Sequence, residues 1–288
     1  MLYCRQGLYH KLCLHLHSVL NTSSDLTGIA LLGNPGIGKS MFIVYEMWYI
    51  ATQLKRFVVY EHNLNGIWVL LKPDGSVESG VRRNSFDAVL SSPDDFYLFD
   101  AGGGKGVARE PLLGLNCRTI VAASPDQTHF HEAIKQFKLK RYMPVWTLQE
   151  LEECRQLCYP KQSKQEVEEQ VRKWGELPRY VFTQPAQRSS IDDEWKVKIS
   201  NFSLSEVTKR QGNLDSIPQE VNGAHTVLLY DVNQNNFLDY SVRFASRQIR
   251  DAVLLKDKGI QAQELIQFMH NSRGIPALSR LVETPSNS

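Results

Sequence analysis

Gly28-Ile29-Ala30-Leu31-Leu32-Gly33-Asn34-Pro35-Gly36-Ile37-Gly38-Lys39-Ser40 is the stretch that decides how this chain is read. Ile29 to Leu32 is a short apolar run of the kind that forms a buried strand. Gly33-x-x-x-x-Gly38-Lys39-Ser40 follows at once, the P-loop or Walker A pattern. Met41, Phe42, Val44, Tyr45, Met47 and Trp48 then recur with helical spacing. Strand, glycine loop and helix in this order supply the context that gives the pattern a mechanism. Gly33, Gly36 and Gly38 admit backbone angles that a side chain forbids. The loop is therefore expected to turn its N–H groups onto phosphate oxygens, and the helix adds its own unpaired N–H groups and positive dipole end. The expected nucleotide-binding set is Gly33, Asn34, Pro35, Gly36, Ile37, Gly38, Lys39, Ser40 and Met41. Lys39 brings a point charge to the β- and γ-phosphates, and Ser40 offers a hydroxyl to magnesium.

Working outward, Phe96-Tyr-Leu-Phe-Asp100 is an apolar strand that ends on a carboxylate, the form of a Walker B strand. Asp100 is expected to hold Mg2+ together with Ser40, directly or through water. The position after it, where many efficient ATPases carry an acid that positions the attacking water, is Ala101. Either another residue orients that water or hydrolysis is slow. Gly102-Gly-Gly-Lys-Gly106 reads as a loop facing the nucleotide or substrate rather than a second phosphate loop, since no helix with Lys-Ser/Thr follows. Cys117 to Ala123 is a further buried strand. Ser124, at its tip, is the candidate γ-phosphate sensor, with a plain turn residue as the alternative. Arg179 and Arg141 are the candidate arginines for the same phosphate, and surface ion pairing is the alternative for each.

The flanks supply the rest of the architecture. Leu12 to Leu20 belongs to an amphipathic leading helix, residues 1–24. Arg56–His62 and Gly66–Leu71 read as strands, and with the turn Pro73-Asp-Gly-Ser76 they suggest a hairpin inserted between core strands. Tyr142-Met-Pro-Val-Trp146 reads as a short strand. Thr147-Leu-Gln-Glu150 and Ser163-Lys-Gln-Glu166 are capping boxes, predicting helices to about Cys158 and Trp174. Gly175 and Pro178 break the second. Residues 183–194 are polar and read as a linker or lid edge. Strands at 226–231 and 237–244 and helices at 246–255 and 262–271 are expected beyond it. The fold class is therefore α/β: a P-loop NTPase of AAA- or STAND-like type over residues 25–183, a parallel sheet with helices on both faces and a helical lid. A small α+β region, 184–288, follows it.

Composition bounds the partners. A net charge of +2 gives no chain-wide nucleic-acid footprint. Lys135 to Arg141 is the most basic segment, read as a solvated edge ahead of a phosphate or nucleic-acid contact. The 5 cysteines are scattered and point to a reducing compartment. Cys154 and Cys158 read as two helix thiols rather than a metal pair. Asp192, Asp193 and Glu194-Trp-Lys196 were weighed as a metal-nuclease fragment, but their spacing is too short for carboxylates on separate strands. No apolar run is long enough to span a membrane, and the start is a poor signal peptide. The expected location is intracellular, cytoplasmic or nuclear. The expected ligands are ATP or another nucleoside triphosphate with Mg2+, with a protein or nucleic-acid partner left open and the oligomeric state unassigned.

Several blocks together resemble the P-loop ATPase module of Crinkler and retrotransposon-hot-spot proteins. They are Leu31 to Phe42, Tyr97 to Asp100, Ser124-Pro125, Tyr142 to Leu151, Gly175 to Tyr180 and Val242 to Ser246. The resemblance implies an ATPase followed by a restriction-endonuclease-like domain, in effectors or mobile-element proteins, some secreted and acting in host nuclei. Against that pattern, the amino-terminal header is expected to be missing here, and the chain ends soon after the Phe244-Ala-Ser block.

Overall fold

A computed structural model describes residues 3–22, 27–62, 68–80, 83–102, 110–125, 136–137, 139–203 and 224–256. The chain forms two compact units: Met1–Gly33 with Gly38–Met143, and Asn34–Ile37 with Pro144–Ser288.

The first unit is a mixed α/β layer structure. Helix α1 (Gln6–Leu20) precedes strand β1 (Gly28–Leu32), and α2 (Lys39–Thr52) follows it. Then come β2 (Val58–His62), β3 (Trp68–Leu71), β4 (Val77–Gly80), the single turn α3 (Asp87–Leu90), β5 (Phe96–Asp100), β6 (Arg118–Ala123) and β7 (Lys140–Tyr142). The 7 strands form one sheet in the order β4-β3-β2-β5-β6-β1-β7. Strands β2, β5, β6, β1 and β7 run parallel, and β3 and β4 add an antiparallel edge. Every residue of β1 and β5 is buried, as expected where a parallel sheet is covered on both faces. Phe96 on one face meets the His17 ring of α1, with centroids 5.3 Å apart. Its neighbour Tyr97 points the other way, stacking on Trp68 at 5.8 Å, and Trp68 stacks in turn on Phe86. Tyr97 also donates to the buried carboxylate of Glu61 at 2.6 Å. Burial, followed by the Glu61 charge, pushes this phenol far above its ordinary range.

Three expectations change here. The hairpin does not lie between core strands: Val58–His62 is itself a parallel core strand, and β3–β4, turning through Pro73–Ser76, extends the sheet edge beyond it. Strand β4 lacks an apolar pattern because Val77, Glu78 and Ser79 are exposed. Its register is held by backbone pairing with β3 and by the Lys72–Glu78 pair. Strand β7 stops at Tyr142, ahead of Pro144, which has no N–H to add to a ladder.

The second unit contains α4 (Leu148–Cys158), α5 (Lys164–Trp174), the single turn α6 (Pro178–Val181), α7 (Arg188–Asn201), the single turn α8 (Ala224–Val227), the antiparallel pair β8 (Leu228–Val232) and β9 (Tyr240–Phe244), and α9 (Arg247–Lys256). Both capping boxes are formed, at Thr147–Glu150 and Ser163–Glu166. Residues 188–201, expected as part of a linker and its sequel, are helical. Trp195 is fully buried and stacks on Trp174 at 5.1 Å, and Lys256 donates to the carbonyls of Ile199, Ser200 and Phe202 at the helix end. This helix removes the nuclease fragment: Asp192 pairs with Lys173, Asp193 with Lys196 and Glu194 with Lys198. Within this unit Trp174 stacks on Trp195, and Gly175 lies against the Ala245 backbone. Cys154 is buried and Cys158 exposed on α4. Residues 103–106, Lys135 and the 262–271 helix lie outside the described residues.

Gly175 has φ +77°, and a Cβ built there would stand 2.2 Å from the carbonyl oxygen of Ala245. Gly175→Ala is therefore expected to cost about 2–3 kcal/mol, from left-handed backbone strain and the displaced β9 end. Urea unfolding followed by tryptophan fluorescence measures the loss.

Candidate functional site

Strand β6 lies between β1 and β5, with Leu31 opposite Ala122 and Ala122 opposite Asp100. Parallel neighbours are about 4.8 Å apart, so Asp100 stands level with the end of β1, roughly 10 Å across the sheet. The connection from β1 runs toward β2, over β6 and β5, while that from β6 to β7 runs the opposite way, past β1. In parallel sheets ligands bind at the carboxyl ends of the strands, here those of β1 and β6. Gly33 and Ser124 both emerge there.

The loop has the backbone its glycines allow. Gly36 and Gly38 have φ of +82° and +102°, and Gly38 caps α2 from the left-handed region. The Lys39 ammonium donates to the Gly33 carbonyl at 2.7 Å, closing the loop across its own base. The Gly38 carbonyl accepts from Tyr9, at 3.2 Å, a residue of α1 that is itself fully buried. Ser40 is exposed at the start of α2 and Met41 is half-buried.

In the second unit, two loop residues do something other than face a ligand. The Asn34 side chain is fully buried; its amide donates to the carbonyls of His225 and Leu228 at 2.7 and 2.8 Å. Its oxygen accepts from the Tyr230 N–H at 2.9 Å. The Ile37 carbonyl accepts from the buried Trp146 indole at 2.8 Å. Asn34 and Ile37 can thus offer a ligand only their backbone. Their side chains are structural.

Asp100 is 1% exposed. Its Oδ1 accepts from the Gly102 N–H at 3.0 Å, whereas Oδ2 is buried without a hydrogen-bond partner among the described residues. The nearest cationic candidate is His62 at the end of β2, whose Nε2 is 4.0 Å from Oδ2. Burial, and next the Asp100 charge, push the Tyr60 hydroxyl up as well. An orphaned, buried carboxylate oxygen at a strand end fits a bound cation. Ala101 follows with its N–H donated to the Ala122 carbonyl, so position 101 supplies no acid and no free donor. His62 escaped the sequence reading; only its place as the last residue of a parallel strand hinted at it.

The two arginines part company. Arg141 on β7 donates to His15 at 2.9 Å and to the Lys140 carbonyl at 2.7 Å, and burial lowers its pKa from the usual arginine value. Its guanidinium thus bonds to α1 and to the neighbouring backbone. Arg179 is exposed on α6, and its side chain lies against Gly36, with Nε 3.2 Å from a Cβ built on that glycine. Its guanidinium has no hydrogen bond or ion pair among the described residues.

No protein-family model matches the chain. It is 27% identical over 155 residues to Crinkler effector protein 15 and to Crinkler effector protein 16 of Phytophthora infestans, a match covering 51% of this chain and 24% of each relative. The matched region is thus about a quarter of the relatives' length. A solved structure, the Thermotoga maritima RuvB Holliday junction branch migration motor, aligns with a TM-score of 0.36 and 13% identity, over 81% of this chain and 71% of that one. Among the described residues, no helix is long and apolar enough to cross a membrane.

Asn34→Ala would leave the His225 and Leu228 carbonyls and the Tyr230 N–H without their partner. The expected loss is about 2–3 kcal/mol of unfolding free energy, read from the shift in urea midpoint.

Proposed function

We propose that the chain is a nucleoside-triphosphate-binding module, with ATP as its ligand and Mg2+ as its ion. The observation that carries this is Gly33–Ser40: a glycine loop with left-handed Gly36 and Gly38, at the carboxyl end of a central parallel strand and capping a helix. On binding, the β- and γ-phosphates take the Lys39 ammonium from the Gly33 carbonyl, while the loop and α2 N–H groups hold phosphate oxygens. Ser40 and Asp100, whose Oδ2 has no hydrogen-bond partner among the described residues, would hold the magnesium ion, which would supply charge neutralisation at the phosphates. Ser124, at the tip of the strand between the two motifs, is the residue assigned to read the terminal phosphate. His62 takes over the task of fixing the Asp100 carboxylate, and with it the attacking water, that Ala101 leaves undone.

A second reading, a nucleotide-dependent switch with little turnover, is favoured by Ala101 itself. Similarity to the two Crinkler effectors supports placing the module within an effector of that kind. Its protein or nucleic-acid partner lies outside what these residues specify.

Equilibrium binding of fluorescent ATP and GTP with magnesium, and single-turnover hydrolysis, test both readings. Lys39→Ala should weaken ATP binding roughly 10- to 100-fold, the worth of about 1.5–3 kcal/mol for a hydrogen bond to a charged group. Asp100→Asn should lower turnover by about 100-fold or more. His62→Ala should lower turnover about 10-fold with affinity unchanged. Wild-type protein that binds ATP yet turns over no faster than Lys39→Ala is a switch; no binding at all overturns the module reading.

A further inference from the structure

Cys13, His17 and Glu46 form a second cluster that the phosphate loop does not use. Cys13 and His17 are four residues apart on α1, so they share one face of that helix. Glu46 projects from α2 between the buried residues Tyr45 and Ile50. All three are buried: Cys13 and Glu46 completely, His17 to 6% exposure. One ligand atom from each lies within 4.8 Å of the other two. His17 Nε2 stands 2.7 Å from Glu46 Oε1. Even so, neither ring nitrogen and neither carboxylate oxygen makes a hydrogen bond among the described residues.

Nε2 and Oε1 face each other as a pair, but His17 Nδ1 and Glu46 Oε2 are buried without a hydrogen bond among the described residues, which is costly. Each such group forfeits about 1–3 kcal/mol relative to a satisfied one. The surroundings do not relieve them: the Phe96 ring meets the His17 edge, and the Tyr49 ring lies 5.6 Å from His17.

We infer that Cys13, His17 and Glu46 bind a divalent transition-metal ion of the zinc class, a three-ligand site that pins α1 to α2. Sulfur, nitrogen and oxygen donors converging from two helices match the ligand chemistry of zinc, which accepts three protein ligands and one further ligand in a tetrahedral shell. The ion would clamp the helix that opens at Lys39 to the helix that carries Tyr9, whose hydroxyl holds the Gly38 carbonyl. The site is independent of the nucleotide reading.

The test is metal content and cobalt spectroscopy on the full chain, without nucleotide. Purified protein should carry about one zinc per chain by elemental analysis. After chelation, one equivalent of Co2+ should give intense tetrahedral d–d bands and a sulfur-to-cobalt charge-transfer band. Cys13→Ser should abolish the charge-transfer band, and His17→Gln should weaken Co2+ affinity at least about 10-fold. Chelator should lower the thermal midpoint of wild type and leave that of Cys13→Ser unmoved. Far-UV circular dichroism verifies that each variant folds; should Cys13→Ser fail to fold, the wild-type cobalt spectrum and chelator shift decide alone. A melting curve indifferent to chelator, with no stoichiometric metal, makes the cluster a buried His–Glu pair and overturns the inference. So does Co2+ binding that lacks the charge-transfer band, which places the ion elsewhere.

Discussion

The left-handed backbone at Gly36 and Gly38 is the constraint on which the candidate site depends. Strand β1 and helix α2 are separated by the short span from Gly33 to Gly38, in which the chain must reverse and present N–H groups inward. At φ of +82° and +102° a Cβ is strained whatever space surrounds it. Space is also short: a Cβ at Gly38 would stand 2.8 Å from the Tyr9 hydroxyl, and one at Gly36 2.8 Å from the Arg179 Cβ. The two glycines thus serve twice, by permitting the turn and by letting Tyr9 and Arg179 approach the loop backbone.

The bonds to Asn34 and Ile37 explain how such a loop keeps its shape before a ligand arrives. A glycine-rich segment loses much conformational entropy when it becomes ordered. Asn34 offsets that with three bonds to the backbone of residues 225–230, and Trp146 adds a fourth, to Ile37. Lys39, bonded to Gly33, supplies a provisional partner for a carbonyl and an ammonium that a phosphate would separate. The loop is therefore pre-formed, and binding need not order it from a coil.

Much of this was legible in the sequence, for physical reasons that differ by element. The loop is local: its glycines, lysine and serine sit at fixed offsets, so strand, turn and helix read off directly. The capping boxes at Thr147 and Ser163 are local too, and both helices begin where the boxes place them. Helix α7 was not legible, because Trp195 alone is buried along it and no apolar stripe marks its face. Strand β4 was hidden for the same reason, its side chains being exposed. The side-chain role of Asn34 was not legible, because its partners, the His225 and Leu228 carbonyls, lie far along the chain. The Cys13–His17–Glu46 cluster needed the pairing of α1 with α2, which no spacing within either helix specifies.

The chemistry of Asp100 follows from its neighbours more than from its own place in the chain. At the end of a buried strand a carboxylate is desolvated, and a single bond from the Gly102 N–H satisfies only one of its oxygens. In proteins that carry an acid at the next position, that acid and the aspartate divide the work between water and metal. Here the next peptide N–H is committed to Ala122, and Ala101 offers a methyl group. Among the described residues, the polar side chain that the strand register aligns with Asp100 is His62, opposite it on β2. Its 4.0 Å separation is too long for a direct hydrogen bond. The residues at this strand end thus set a desolvated carboxylate beside a partly exposed imidazole and leave position 101 without an acid.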